Sequence, residues 1–148
     1  MDFKIKLIFV SVLTLYFFNT GYTFSQTSVD LNGSRFRGKA EEQTPPDVDR
    51  MPIVMNEIIN FNNGVISSEV FKKYTVTECK YSAEIDERRM VAVKVVNFNS
   101  ECQGVYGNEN VTLKFTGSIY GDLWMSGDII IKTADNSEIK FLVTGEAE

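Results

Sequence analysis

From Met51 onward the chain alternates apolar and polar residues in short runs, and Gly, Asn or Asp separates one run from the next. A period of two is the signature of half-buried β-strands. Glu57-Ile58-Ile59-Asn60-Phe61 predicts a strand, Asn62-Asn63-Gly64 a tight turn and Val65-Ile66-Ser67 the returning strand. Ser67 or Ser68 is placed to cap one short helical turn over Glu69 to Tyr74. Cys79 to Ile85 predicts the next strand, Asp86-Glu87-Arg88-Arg89 a polar turn, and Met90 to Phe98 a valine-rich strand. Asn99 to Asn110, holding Cys102, Gly104 and Gly107, reads as a loop. Three further strands follow: Val111 to Tyr120, Leu123 to Thr133, and Glu138 to Thr144.

Side-chain parity tests the last two hairpins. Pairing Ile119 with Leu123 sets Gly117 by Met125, Phe115 by Gly127 and Leu113 by Ile129, so that one face is apolar throughout. A slip by one residue would turn Trp124, Ser126 and Asp128 onto that face. Continuing the ladder sets Ile129 by Phe141 and Ile131 by Ile139. The expected fold is all-β: a small antiparallel meander barrel or strongly curved sheet of about seven to eight strands with one short helical turn.

The N-terminal half-hundred residues read differently. Lys4 and Lys6 precede an uncharged run, Leu7 to Phe18, and Thr23-Phe24-Ser25 supplies a small-x-small cleavage site before Gln26. These are the three parts of a secretory signal peptide. The run is shorter than the roughly 20 residues of a spanning helix, so no membrane span is expected in the mature chain. Gln26 to Arg50 is polar, contains Gly33, Gly38, Pro45 and Pro46, and has almost no apolar periodicity. It reads as a linker too poor in apolar surface to offset its ordering entropy. The expected organisation is a signal peptide over 1–25, a flexible linker over 26–50 and a β-barrel domain over 51–148, secreted or periplasmic.

Charge and composition narrow the chemistry. The whole chain of 148 residues carries −5, and without its leader, of net +1, it stands at −6. An acidic chain argues against nucleic acid and anionic membrane surfaces as partners. There is no histidine, which removes Ser-His-Asp and Cys-His catalysis, His-ligated zinc and the usual switch near neutral pH. Cys79 and Cys102 are an even pair in an exported chain, which points to a structural disulfide. Geometry resists it: a hairpin closed at Asp86 to Arg89 puts Cys79 across from about Val96. Cys102 is then six residues further along an extended path of roughly 3.3 Å per residue, well outside the roughly 4.4–6.8 Å that bonded Cα atoms require. The chain must bend back after Asn99 for the bond to form.

Phe61, Gly64, Ser67, Tyr81, Ala83, Ser100, Gly104, Phe115, Gly117, Gly121, Asp122, Gly127, Phe141 and Gly145 form a spaced pattern of turn glycines and core aromatics. Over about 58–146 this pattern resembles small exported bacterial β-barrels of the lipocalin or avidin kind (calycin-type) whose function is unknown. The segment Gly121-Asp122-Leu123-Trp124-Met125-Ser126-Gly127 is one residue longer than the Gly-Asp and Leu-x-Gly spacing of those proteins, and the Gly-x-Trp signature of true lipocalins is missing. The resemblance implies a barrel and carries no functional residue with it.

Few residues stand out as chemistry. Asp122, Asp128, Glu109 and Glu101 are carboxylates that would support acid/base work on a sugar if they met across a cleft; solvated turn and face positions are the plainer account. Asp135-Asn136-Ser137-Glu138 offers oxygens to calcium but lacks a known loop pattern, and an ordinary hairpin turn explains it. Trp124, Tyr106 and Tyr120 are the aromatics that parity or loop position exposes, suited to stacking on a ligand or to a partner contact. No catalytic, metal-ligating or cofactor-binding residue is expected. The functional expectation is a non-enzymatic exported barrel that binds a small ligand or an envelope protein. The alternative is a structural or protein-interaction module of the envelope, and a carboxylate-based hydrolase stands third.

Overall fold

The structure is a computed structural model and describes residues 28–45, 49–76, 78–86 and 93–148. The leader and most of the Asp86–Arg89 turn lie outside the described residues. Eight strands make one antiparallel sheet: β1 (Arg35–Glu42), β2 (Val54–Asn62), β3 (Val65–Ser67), β4 (Tyr81–Ile85), β5 (Val95–Tyr106), β6 (Glu109–Tyr120), β7 (Trp124–Lys132) and β8 (Glu138–Ala147). A single-turn helix, α1 (Glu69–Lys73), sits between β3 and β4. Each strand except β3 pairs with the next one in the chain, and β8 returns to pair with β1, so the meander is a nearly closed barrel with β3 and β4 at its edges.

The last joint, between β3 and β4, is slight. It rests on a bridge between Val65 and Lys80 and on Ile66 N–H donating to the Cys79 carbonyl at 2.8 Å. Because β3 is too short to cover β4, Ser28 and Val29 take over further along, with Ser28 bridged to Glu84 and Val29 N–H donating to the Ala83 carbonyl at 3.0 Å.

The reading of 26–50 as a linker is corrected by this closure. Arg35–Glu42 is the strand that joins β2 to β8, and Leu31, Phe36 and Ala40 are buried in the core. Only two apolar side chains of β1 face inward, so its alternation is faint in the sequence. Its ordering is supported by two full ladders of backbone hydrogen bonds rather than by its own hydrophobicity.

The second correction concerns β5, which continues through 99–106 where a loop was expected. Tyr106-Gly107-Asn108-Glu109 is a two-residue hairpin with Gly107 at φ 63°, the glycine-first turn that suits the twist of paired strands. The same shift removes the obstacle to the disulfide. Tyr81 pairs with Ser100 and Ile85 with Val96, so the ladder extended by two residues sets Cys79 opposite Cys102. The Cα atoms are 5.3 Å apart and the two cysteines are bonded. No bend after Asn99 is needed, because Val96 lies opposite Ile85 rather than opposite Cys79.

The β7–β8 register is as expected, with Ile129 by Phe141 and Ile131 by Ile139. In β6–β7 the inward face is as expected but the pairing is displaced by two residues: Ile119 faces Met125, Phe115 faces Ile129, and Gly117 faces Gly127. Two bare residues opposite each other make room inside the barrel. A Cβ on Gly117 would stand 2.6 Å from Phe98 Cζ, and one on Gly127 3.0 Å from Phe115 Cε2.

The interior is filled by rings in edge-to-face contact, an arrangement favoured by the aromatic quadrupole. Phe36 meets Phe61 at 6.3 Å between centroids, Phe61 meets Phe98 at 5.2 Å, Phe98 meets Phe115 at 5.0 Å, and Phe115 meets Phe71 at 6.1 Å. The series runs from the start of β1 to α1, which lies over the end of the barrel where β5 turns into β6. Ser68 caps α1 by accepting from Val70 N–H at 3.1 Å and Phe71 N–H at 3.4 Å, as the sequence predicts. Tyr74 then stacks by Tyr106, and its carbonyl accepts from Val105 N–H at 2.7 Å.

Two outcomes test this architecture. A chain begun at Met51 lacks β1 and leaves β2 and β8 with open edges, so it should give collapsed amide dispersion by NMR where a chain begun at Ser28 gives a folded spectrum. Replacing both cysteines by serine should lower the unfolding free energy in urea by about 3 kcal/mol, the chain-entropy value for a loop of this size; a loss under about 1 kcal/mol would show that the barrel sets this contact without the bond.

Candidate functional site

The residues singled out by sequence do not gather in one place. Glu109 and Asp122 lie at opposite ends of β6, roughly 40 Å apart at about 3.4 Å per residue. Asp128 is in mid-strand on the outer face, where Lys140 Nζ lies 3.2 Å from it, and Glu101 faces Lys114 across the β5–β6 ladder. None of these four stands opposite another in the strand ladders. Tyr106, 59 % exposed, stands by Tyr74 at the helix end of the barrel. Tyr120 and Trp124 are paired across β6–β7 at the other end, and Trp124 is 41 % exposed.

The Asp135 loop satisfies itself. Asp135 accepts from Thr133 Oγ1, from Ser137 N–H at 3.0 Å and from Ser137 Oγ at 2.9 Å. These donors hold its carboxyl down at about 2. The loop is a capped hairpin turn, and no cluster of three metal-ligating side chains occurs among the described residues.

Two buried carboxylates were missed by the sequence reading. Glu42, at the inward end of β1, is bound by both terminal nitrogens of Arg50, which hold its carboxyl below the usual range. Glu57 is 1 % exposed and faces into the barrel from β2. Its oxygens accept from Glu69 N–H at 2.6 Å and from Val70 N–H and Ile58 N–H at 3.1 Å. The carboxylate thus takes up the free amides at the start of α1 and fixes that turn over the barrel end. Burial raises its pKa, and the amide donors offset part of the rise. The signal was present: Glu57 has the parity of Ile59 and Phe61.

A concavity of about 420 Å³ with hydroxyl and amide groups in its lining lies on the outer face of β5 to β8. Gly117 and Gly127 contribute backbone to its floor, since the positions their side chains would take face the core. Asn97, Ser118 and Ser126 stand in one cross-strand row, and Thr116 and Asp128 face each other in the next. Ser118 Oγ donates to Asn97 Oδ1 at 2.7 Å, and Asn97 Nδ2 donates to Asp86 Oδ2 at 3.3 Å. Leu142, 40 % exposed, forms the apolar wall. Trp124 is two residues from Ser126 on the same face, beyond the groove's lining. Parity placed Ser126 and Asp128 outside, but only the displaced register shows that they meet Ser118 and Thr116 over a glycine floor. Comparison of the chain with protein families, with curated proteins and with solved structures yields no match.

The pKa of Glu57 gives a prediction with a definite sign. A carboxyl raised in the folded state binds its proton more tightly there than in the unfolded chain, so folding stability falls as pH rises through the interval between the two values. Wild type should therefore lose stability relative to Glu57→Gln as pH is raised from about 4 toward neutrality, read from urea unfolding of both proteins. A difference that does not change with pH would contradict the assignment.

Proposed function

We propose that this protein is a non-enzymatic, extracytoplasmic binding module that engages its ligand or partner through the outer surface of the barrel. The observation that carries the proposal is the filled interior. Barrels that carry ligands keep an open chamber, whereas here the rings of Phe36, Phe61, Phe98, Phe115 and Phe71 follow one another along the inside. Glu57 fastens α1 over the end of the barrel.

The compartment is supported by the disulfide, since such bonds persist in oxidising surroundings outside the cytoplasm. The signal peptide read at 1–25 agrees with it. Among the described residues no helix is long and apolar enough to cross a membrane. The reading as a non-enzyme is favoured by the separation of the four carboxylates and by the absence of histidine from the sequence. This places the weight on the interaction reading rather than on a ligand held inside a lipocalin-like chamber.

A titration with 1-aminoanthracene, a fluorophore that brightens in apolar cavities, tests it. No saturable uptake is expected in the disulfide-bonded protein. Stoichiometric binding displaced by a fatty acid would overturn the reading and return the barrel interior to the role of ligand site.

A further inference from the structure

We propose that the groove over Gly117 and Gly127 binds a neutral oligosaccharide. The inference rests on the reading that this barrel works through its outer surface, and it names the chemical class that the surface takes.

A sugar ring presents an apolar C–H face and a rim of hydroxyls that each donate and accept. The groove offers both. Its apolar part is the exposed Leu142 on the groove's wall. Its polar part is a set of neutral amide and hydroxyl groups, Asn97, Thr116, Ser118 and Ser126, which match hydroxyls as donors and acceptors at once. Ser118 and Asn97 are already held by hydrogen bonds to each other and to Asp86, so little ordering cost remains for binding. Asp128 adds a carboxylate suited to two adjacent hydroxyls, and its charge is countered by Lys140. Trp124, further along the same face, provides an aromatic plane against which the next sugar unit can stack.

Charge selects among glycans. Among the described residues the groove's lining carries no cation, Lys140 at its edge is paired with Asp128, and the whole chain is acidic. Sulfated, phosphorylated or uronic polymers would meet repulsion rather than a counter-charge. The volume of about 420 Å³ is within the roughly 300–1,000 Å³ of small-ligand sites, and the groove is open, as a chain passing over the surface requires.

The test titrates the disulfide-bonded, isotope-labelled protein with cellohexaose, chitotetraose and mannotetraose, with a heparin oligosaccharide as the anionic comparison. Trp124 is the only tryptophan, so its fluorescence reports on the adjoining face without labelling. The expected result is saturable binding of at least one neutral oligosaccharide, with amide shifts centred on Gly117, Ser118, Ser126 and Gly127, and none with heparin. Ser118→Arg, which fills an outward position without touching the core, should weaken binding at least tenfold, Trp124→Ala should weaken it several-fold, and Tyr106→Ala at the opposite end should leave it unchanged. Unchanged thermal melting of each variant separates lost binding from lost fold. Absence of shifts with all three neutral oligosaccharides, or shifts centred elsewhere, would overturn the proposal. If 1-aminoanthracene is also not taken up, the glycan assignment alone falls; if it is taken up, the outer-surface reading falls with it.

Discussion

The pairing of β1 with both β2 and β8 is the contact on which the rest of this barrel depends. Seven strands in a meander would leave two open edges, each with a row of unpaired amides and carbonyls. Arg35–Glu42 removes both edges at once, with registers running from Arg35↔Asn60 to Glu41↔Val54 on one side and from Phe36↔Ala147 to Glu42↔Phe141 on the other. The closing strand must also approach β8 closely. A Cβ on Gly38 would fall 1.8 Å from the Thr144 carbonyl oxygen, so only glycine is compatible with this backbone separation. Gly38 stands opposite Gly145 just as Gly117 stands opposite Gly127. At each pair the sheet loses side chains on both strands and can curve. At Gly117–Gly127 the bare inward positions leave room in the core for the rings of Phe98 and Phe115.

How far the sequence discloses this fold follows from where the information is stored. Parity is local, so the inward faces of β6, β7 and β8 are legible from Phe115, Ile119, Ile129 and Phe141 alone. The Asn63-Gly64 hairpin and the Ser68 cap are legible for the same reason, since each is set by residues within a few positions. Register is not local. The β6–β7 pairing is displaced by two because Gly117 must oppose Gly127 to admit rings from β5 and β6, a demand that arises only in three dimensions. The continuation of β5 is hidden because Gly104 and Gly107 together resemble loop residues, although Gly107-Asn108 is by itself a hairpin signal. The disulfide looks awkward only while β5 is cut short in this way. Once β5 runs straight to Tyr106, Cys79 and Cys102 are simply opposite each other. The closing strand was least legible, since Arg35, Arg37, Lys39 and Glu41 alternate with Phe36, Gly38, Ala40 and Glu42, and only two of the inward four are apolar.

The carboxylates show the same division. Asp122, Asp128, Glu109 and Glu101 attract attention in a list because they sit near turns or strand ends, and the fold distributes them over the barrel surface. Glu57, hidden in an apolar run, is the one with a demanding environment. A carboxylate under such burial is costly unless its oxygens are taken up by donors, and here the amides of Ile58, Glu69 and Val70 take them up. The sequence separates Glu57 from α1 by a whole hairpin, so the partnership cannot be read from spacing.

The position of Glu57 also bears on how the molecule works. A carrier must admit its ligand, and the element covering its chamber must move at small cost. Here α1 is held at its start by the Glu57 carboxylate and the Ser68 hydroxyl, in its middle by Phe71 against Phe115, and beyond its end by the Tyr74 carbonyl on Val105. Displacing it would strand a buried carboxylate and expose a ring that is part of the core, each a cost of roughly 1–3 kcal/mol. Nothing would be gained behind it, since the rings continue through Phe98 and Phe61 to Phe36. A barrel fastened and filled in this way supports the proposal that binding takes place on its outside. There the row of Asn97, Ser118 and Ser126 and the facing Thr116 and Asp128 bring polar side chains together over the same two strands whose inward glycines admit the core rings.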